Sequence, residues 1–292
     1  MATSTTLRTS SATNFYSFAA LKSDGSVVTW GQTTNNINRG GNSSSVQNQL
    51  TNVNAVYSSA EAFAALKNDG TVVPWGRSGF GGDGMPSSLS STSASGFSKV
   101  VNIASTVYAF AALRENGTVV TWGNTSYGGT VPSVLSDPNT SDVKAIYSNY
   151  SSFVAVLDDN NAIAWGYLSS TGGSFGSNNL SQALTNVKVV YSTSGAFAAL
   201  KNNGRLVVWG ETNYGGNPPT SVIDSTDANF VTVEIIYSTS SAFAALRTDG
   251  TVVAWGDSNN GGTAPSGLTN VRTIYSTSVS YTHLRAHETP LH

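Results

Sequence analysis

The chain has 292 residues and a formal net charge of −2, and only 10% of its residues are charged. It has no cysteine, which excludes disulfides, thiol catalysis and Cys-based metal sites. No apolar run reaches the roughly 18 residues that a membrane-spanning helix needs, and no basic stripe marks a nucleic-acid surface.

Residues 1–14 form an N-terminal segment holding at most a partial strand. Its start, Met1-Ala2-Thr3-Ser4-Thr5-Thr6, lacks the apolar stretch of a secretion signal. From residue 15 to about residue 278 one pattern returns six times, clearest as the run from Ala242 to Gly256. All six tryptophans (Trp30, Trp75, Trp122, Trp165, Trp209 and Trp255) fall at one position of it, 43 to 47 residues apart. A period in this range marks stacked units, each too small to bury its apolar face alone.

The first copy is a hairpin, with a strand at Phe18–Leu21, a turn at Asp24-Gly25 and a strand ending at Trp30. The second adds a leading strand, Val53–Ser58, before Phe63–Leu66, Asp69-Gly70 and Thr71–Trp75. Asp-Gly and Asn-Gly favour the positive φ of tight hairpins. Pro74 predicts an edge or bulged position, since proline donates no ladder hydrogen bond. The third copy reads Val100–Ser105, Phe110–Leu113, Asn116-Gly117 and Trp122. The fourth begins at Val143–Ser148 and departs most, with Leu157-Asp158-Asp159-Asn160-Asn161 at the turn. Its clustered oxygens suit either an ordinary turn or a calcium ligand set, but their spacing matches no calcium-loop template. The fifth and sixth copies lead with Val187–Ser192 and Val233–Ser238, and a lone first strand follows at Val271–Ser276. A Gly-Gly pair closes each copy, at 40–41, 81–82, 128–129, 172–173, 215–216 and 261–262. The predicted class is all-β, built from units of about 44 residues.

At Val279 the pattern stops where a further apolar strand is due. Residues 279–292 resemble the translation of a transposase adapter used in sequencing libraries, so they are read as an artefactual tail and the chain as a fragment. That tail contains all three histidines, His283, His287 and His292. The acid-to-histidine spacing is one residue too long for a zinc-protease motif, and Pro290 would break the required helix.

The phrase Val187…Val190-Tyr191-Ser192…Phe197-Ala198-Ala199-Leu200-Lys201-Asn202-Asn203-Gly204…Trp209-Gly210…Tyr214-Gly215-Gly216 resembles the regulator of chromosome condensation repeat. It is closer still to the shorter bacterial repeats of the propeller-type β-lactamase inhibitor family. The resemblance covers residues 15–278. It implies a β-propeller, typically seven-bladed with four strands per blade, of which six blades are visible here. Those families usually place His before the apolar strand and Gly-Gln after the tryptophan loop, where this chain has Ala or Ser and Gly-Gly. Ring closure has two readings: the terminal strand completes the opening blade, or a further repeat is missing.

The candidate site residues stand at one register position, just before Gly-Gly: Arg39, Phe80, Tyr127, Thr171, Tyr214 and Asn260. Loop variation on a fixed frame is where partner choice resides, and the aromatic rings offer contacts. The alternative is that they cover each blade's own surface. The tryptophans are either inter-blade core or a sugar-stacking ring, and the core reading prevails. Lys22, Lys67, Arg114, Lys201 and Arg247 recur beside acids such as Asp24, Asp69, Glu115 and Asp249, which predicts a self-compensated rim. No His or Cys outside the tail offers catalysis or metal binding, and no cofactor is implied.

The expectation is therefore a monomeric, non-enzymatic scaffold that binds a protein partner through loops on one propeller face. The alternative is a lectin-like surface that binds carbohydrate. A carboxylate-based glycoside hydrolase or lyase ranks lower, as does guanine-nucleotide exchange. Composition favours an extracellular or cell-surface location.

Overall fold

The computed structural model describes residues 13–32, 37–167, 184–223, 227 and 229–276. They fall into two compact units, Ser11–Val187 and the part from Lys188 onward.

The first unit holds four antiparallel sheets. Among the described residues, β1 (Ser17–Leu21) pairs only with β2 (Val27–Gly31). Three-stranded sheets follow: β3 (Val53–Ser58), β4 (Ala62–Lys67) and β5 (Val72–Gly76), then β6 (Val100–Ser105), β7 (Ala109–Arg114) and β8 (Val119–Gly123). The fourth sheet is β9 (Val143–Ser148), β10 (Ser152–Leu157) and β11 (Ala162–Gly166). The second unit holds β12 (Val187–Ser192), β13 (Ala196–Lys201) and β14 (Leu206–Gly210), and then β15 (Val233–Ser238), β16 (Ala242–Arg247) and β17 (Val252–Gly256). Among the described residues each sheet has at most three strands, where the family resemblance implies four. Val271–Ser276, expected as a strand, has no regular secondary structure and pairs with no sheet among the described residues.

The apolar run forms the central strand of every three-stranded sheet, where both faces are covered and alternation is unnecessary. In β4, Ala62, Phe63, Ala64, Ala65 and Leu66 are all buried. Pro74 lies in β5 at a sheet edge, the position that tolerates its missing N–H. The hairpin turns use one left-handed residue rather than two. In the first, Gly25 N donates to Lys22 O (3.0 Å), Lys22 N donates to Ser26 O (2.8 Å) and Gly25 has φ 77°. This is a type I turn closed by a left-handed glycine, not the two-residue turn with both φ positive. In the fourth copy Asn160 takes the glycine's place at φ 67°, and Asp159 accepts hydrogen bonds from the amide and side chain of Asn161.

The hydrophobic clusters run between sheets. One joins Ala55, Leu66 and Val72 to Ile103, Phe110 and Trp122 of the next sheet. Each tryptophan packs on the facing phenylalanine of its own hairpin, and four of them reach back to the preceding Gly-Gly loop. Trp75, Trp122, Trp165 and Trp255 Nε1 donate to the carbonyls of Gly40, Gly81, Gly128 and Gly215 at 2.9–3.2 Å. Those glycines must lack a side chain, because a Cβ there would stand 2.5–2.7 Å from the ring of Phe63, Phe110, Phe153 or Phe243. Five tryptophans are accordingly buried (Trp75, Trp122, Trp165, Trp209 and Trp255), while Trp30 is 51% exposed. Trp30 departs from the inter-blade role read from the sequence, since no described Gly-Gly loop covers it. The hairpin cations also differ from a simple compensated rim. Lys22 does pair with Asp24 (3.0 Å), but Arg114 and Arg247 bind Ser88 and Ser221 beneath their loops instead.

Candidate aromatic binding face

Two hydrogen-bond motifs carry the loops of the first unit into one row. The residue three places before the first residue of each apolar strand is Asn, Ser or Thr. Its side chain caps that strand and commonly holds the carbonyl of the residue before Gly-Gly. Asn14 Oδ1 accepts from Tyr16 N and Ser17 N, while its Nδ2 donates to Arg39 O (3.1 Å). Ser59 Oγ accepts from Ala62 N and donates to Phe80 O (2.7 Å). Thr106 Oγ1 accepts from Ala109 N and donates to Tyr127 O (3.1 Å). Successive sheets are also tied by a belt of backbone bonds at 3.0 Å, Phe15 N to Ala60 O, Ala60 N to Val107 O and Val107 N to Tyr150 O.

Three positions of each repeat, not one, meet along this belt. They are the residue before Gly-Gly, the residue just ahead of the central strand and the residue after Trp-Gly. Phe80 packs on Tyr108 (4.7 Å between ring centroids), Tyr108 on Tyr127 (4.3 Å), and Tyr127 stacks on Tyr167 (5.3 Å, 12° between planes). Such rings attract through offset or tilted contacts as well as apolar burial. The row continues into a charged cluster. The buried Glu61 carboxylate accepts from Arg77 Nη1 (2.8 Å) and lies 3.3 Å from Arg39 Nε. Arg77 in turn stands 4.9 Å above the Phe80 ring and Arg39 4.1 Å above Tyr16, both within cation–π range. Burial first, then the neighbouring Tyr150 and Glu61, raises the Tyr108 phenol above its ordinary range, so it remains a neutral hydrogen-bonding group. Tyr16, Tyr150 and Tyr167 are 40%, 46% and 48% exposed, leaving part of each ring accessible to a partner.

Arg39, Phe80 and Tyr127 therefore lie on one face of the first unit. Tyr214 and Asn260 belong to the second unit and have other surroundings. The Tyr214 ring packs over Gly195 and against the hydrophobic cluster of that unit, with its carbonyl held by Thr193 Oγ1 (2.8 Å). Asn260 donates to Asp257 (2.6 Å), and its carbonyl accepts from Thr239 Oγ1 (2.9 Å). Thr171, His283, His287 and His292 lie outside the described residues.

Sequence reasoning missed Tyr16, Glu61, Arg77, Tyr108, Tyr150 and Tyr167. A signal for most of them was available. The residue ahead of the central strand varies as Tyr16, Glu61, Tyr108, Ser151, Gly195 and Ser241, as freely as the residue before Gly-Gly. The residue after Trp-Gly varies as Gln32, Arg77, Asn124, Tyr167, Glu211 and Asp257. Three variable columns on an invariant frame outline a surface, whereas one column outlines only a stripe. The arrangement offers open aromatic faces, two guanidinium groups and one sequestered carboxylate. That set suits the adsorption of another surface, and no helix among the described residues is long and apolar enough to cross a membrane.

No protein-family model and no curated protein sequence matches the chain. Solved structures do. Prp20p of Saccharomyces cerevisiae, described with its binding to Gsp1p and histones, is 19% identical over 89% of this chain and 75% of its own, with a TM-score of 0.50. Yeast RCC1 (Prp20) bound to Kap60 gives 19% identity, 91% and 74% coverage and a TM-score of 0.51. The CRINKLY WD40 ectodomain of the Arabidopsis thaliana receptor kinase ACR4 is 13% identical over 82% of this chain and 77% of its own, at a TM-score of 0.44. The fold is that of the RCC1-like β-propeller repeat proteins.

Proposed function

Taking the chain as an RCC1-like propeller, we propose that it is a non-enzymatic scaffold that binds a protein partner through the aromatic row of its first unit. The observation that carries this reading is the continuous run Phe80–Tyr108–Tyr127–Tyr167 with the Arg39–Glu61–Arg77 cluster at its end. Aromatic and arginine side chains dominate protein-binding hot spots, because they bring large contact area and few rotamers to lose. The row is tied to the frame by hydrogen bonds. The cap residues hold the loop carbonyls, and the inter-sheet belt fixes the spacing of its members. Ordering costs on association are correspondingly small. The partners with which yeast RCC1 is described, Gsp1p, histones and Kap60, are all proteins, which is consistent with this reading without identifying the partner here.

The test is affinity capture from the source organism with wild-type protein and the Tyr127→Ala/Tyr167→Ala variant. The reading requires a protein retained by the wild type and lost by the variant. Capture of glycans instead, lost with the same substitutions, would favour the lectin-like alternative.

A further inference from the structure

The charged end of the aromatic row selects the kind of protein segment that the row can hold, an inference that rests on the protein-binding role proposed above. Three side chains make that end. The Glu61 side chain is enclosed, 8% exposed, while those of Arg39 and Arg77 keep 21% and 39% of their surface. Arg39 Nε and Arg77 Nη1 face the one carboxylate oxygen, Glu61 Oε2. The remaining guanidinium N–H groups have no acceptor among the described residues. A guanidinium carries its donors in a fixed planar fork, so each arginine still offers an edge to a second anion.

Charge decides which anion. Two cations on one shared carboxylate leave a single positive charge in excess. One further carboxylate neutralises it, whereas a phosphate dianion would overcompensate and a lysine would meet the guanidinium groups. Asp83, further along the loop of Phe80, is exposed and joins no ion pair with the cluster. Both forks also lie on rings, Arg77 at 4.9 Å over Phe80 and Arg39 at 4.1 Å over Tyr16. Stacking of this kind limits the rotamers that an incoming carboxylate would have to fix.

The distances set the length of the segment. From the Arg77 guanidinium to Phe80, Tyr108, Tyr127 and Tyr167 the successive centre-to-centre steps are 4.9, 4.7, 4.3 and 5.3 Å. Even if straight, that path covers no more than about six residues of extended chain at ~3.3 Å each. An acid at the arginines and an aromatic ring at Tyr127 and Tyr167 therefore belong to one short stretch of the partner.

We propose that the partner docks through a segment with an aspartate or glutamate within about six residues of an aromatic side chain. The carboxylate is taken by Arg39 and Arg77, and the aromatic side chain extends the row at Tyr127 and Tyr167. Charge-assisted hydrogen bonds fix the register, and ring contact supplies the buried area.

The probe is a random dodecapeptide library displayed on phage, selected on wild-type protein and counter-selected on the Tyr127→Ala/Tyr167→Ala variant. Peptides that need the row should carry Asp or Glu within six positions of Phe, Tyr or Trp about threefold more often than the unselected library. The strongest is then synthesised with its acid and with the matching amide, and binding is read by fluorescence anisotropy. The amide should bind wild type about tenfold more weakly, and Arg77→Gln less than about twofold more weakly, because the carboxylate's partner is gone. The peptide exchange leaves the protein untouched, and Arg77→Gln leaves Glu61 with Arg39. Row-dependent peptides without an excess of acids would overturn the proposal while leaving the row as a protein-binding face. So would an amide that costs the same on wild type and on Arg77→Gln. A selection that yields no row-dependent peptide would overturn the protein-binding reading and this inference with it.

Discussion

Gly128 and Gly261 offer a matched pair for testing how the repeats are locked together. Both follow a 3-10 turn and both have φ 96° and ψ 9°. Alanine at either position therefore meets the same left-handed strain, about 1–2 kcal/mol. That is offset at both by about 0.4–1 kcal/mol of lost unfolded-state entropy. Only the surroundings differ: at Gly261 the new methyl would meet Thr239 Cγ2 alone among the described residues, at 3.9 Å. At Gly128 the new methyl would stand 2.5 Å from Phe153 Cδ2 and 2.6 Å from Cε2, against a fully buried ring stacked 5.2 Å from Trp165. Moving that ring adds an overpacking cost of about 1–3 kcal/mol. It also threatens the Trp165 Nε1 bond to the Gly128 carbonyl (3.2 Å), worth about 0.5–1.5 kcal/mol. Gly128→Ala should then cost about 2–4 kcal/mol and Gly261→Ala about 1 kcal/mol. Urea unfolding gives the comparison, and native-state amide exchange around each site reports it locally, since a chain of two units need not unfold in one step. Losses equal to within about 0.5 kcal/mol would show that the phenylalanine does not depend on the bare glycine, and the joint would be misdescribed.

Other outcomes follow from the same geometry. Glu61→Gln removes the carboxylate shared by Arg39 and Arg77 and should cost about 1–2 kcal/mol, measured by thermal or urea unfolding, because a charged hydrogen bond is lost while the arginines stay part-buried. Tyr127→Ala with Tyr167→Ala should cost about 1–3 kcal/mol in urea unfolding, since the ring contacts of Tyr127 with Tyr108 and Tyr167 are lost, while the sheets stay folded and partner binding is removed. The turn acids set an acid limit. The Ser26 hydroxyl, then its amide, holds the Asp24 carboxyl well below the usual range, and the Thr251 hydroxyl, then its amide, does so for Asp249. Folded values below the unfolded value of about 3.9 mean that this stabilisation is complete above that pH and disappears as the pH falls through the depressed values. The hairpins should hold at pH 5 and loosen in strong acid. Asp249→Asn should flatten that acid slope in a pH series of urea midpoints.

The sheets were readable because their signals are local. Asp-Gly or Asn-Gly after an apolar run, then a β-branched strand ending in Trp-Gly, specifies a hairpin wherever it occurs. Burial was readable only as far as repetition held. Trp30 has the same local sequence as Trp122, but its exposure depends on whether a Gly-Gly loop lies against it. Val271–Ser276 teaches the same lesson, since it carries strand residues, and pairing needs a partner edge that no local pattern supplies. The positive φ of the turn glycines was legible but the turn type was not, because Asp-Gly serves both the two-residue turn and the type I turn closed by glycine. The binding face was half legible. Arg39, Phe80 and Tyr127 stood out as variable residues before Gly-Gly, but Glu61 and Tyr108 sit far from them in sequence and join them only through the stacking of sheets. Tyr214 shares the sequence position of Tyr127, yet the glycine at 195 draws its ring onto its own unit.

The most direct test of the binding face is quantitative capture from source extract on wild-type protein and on the Tyr127→Ala/Tyr167→Ala variant, at equal loading and matched fold by circular dichroism. The account predicts at least one protein retained by the wild type and reduced more than tenfold on the variant. The same proteins retained equally by both would contradict it.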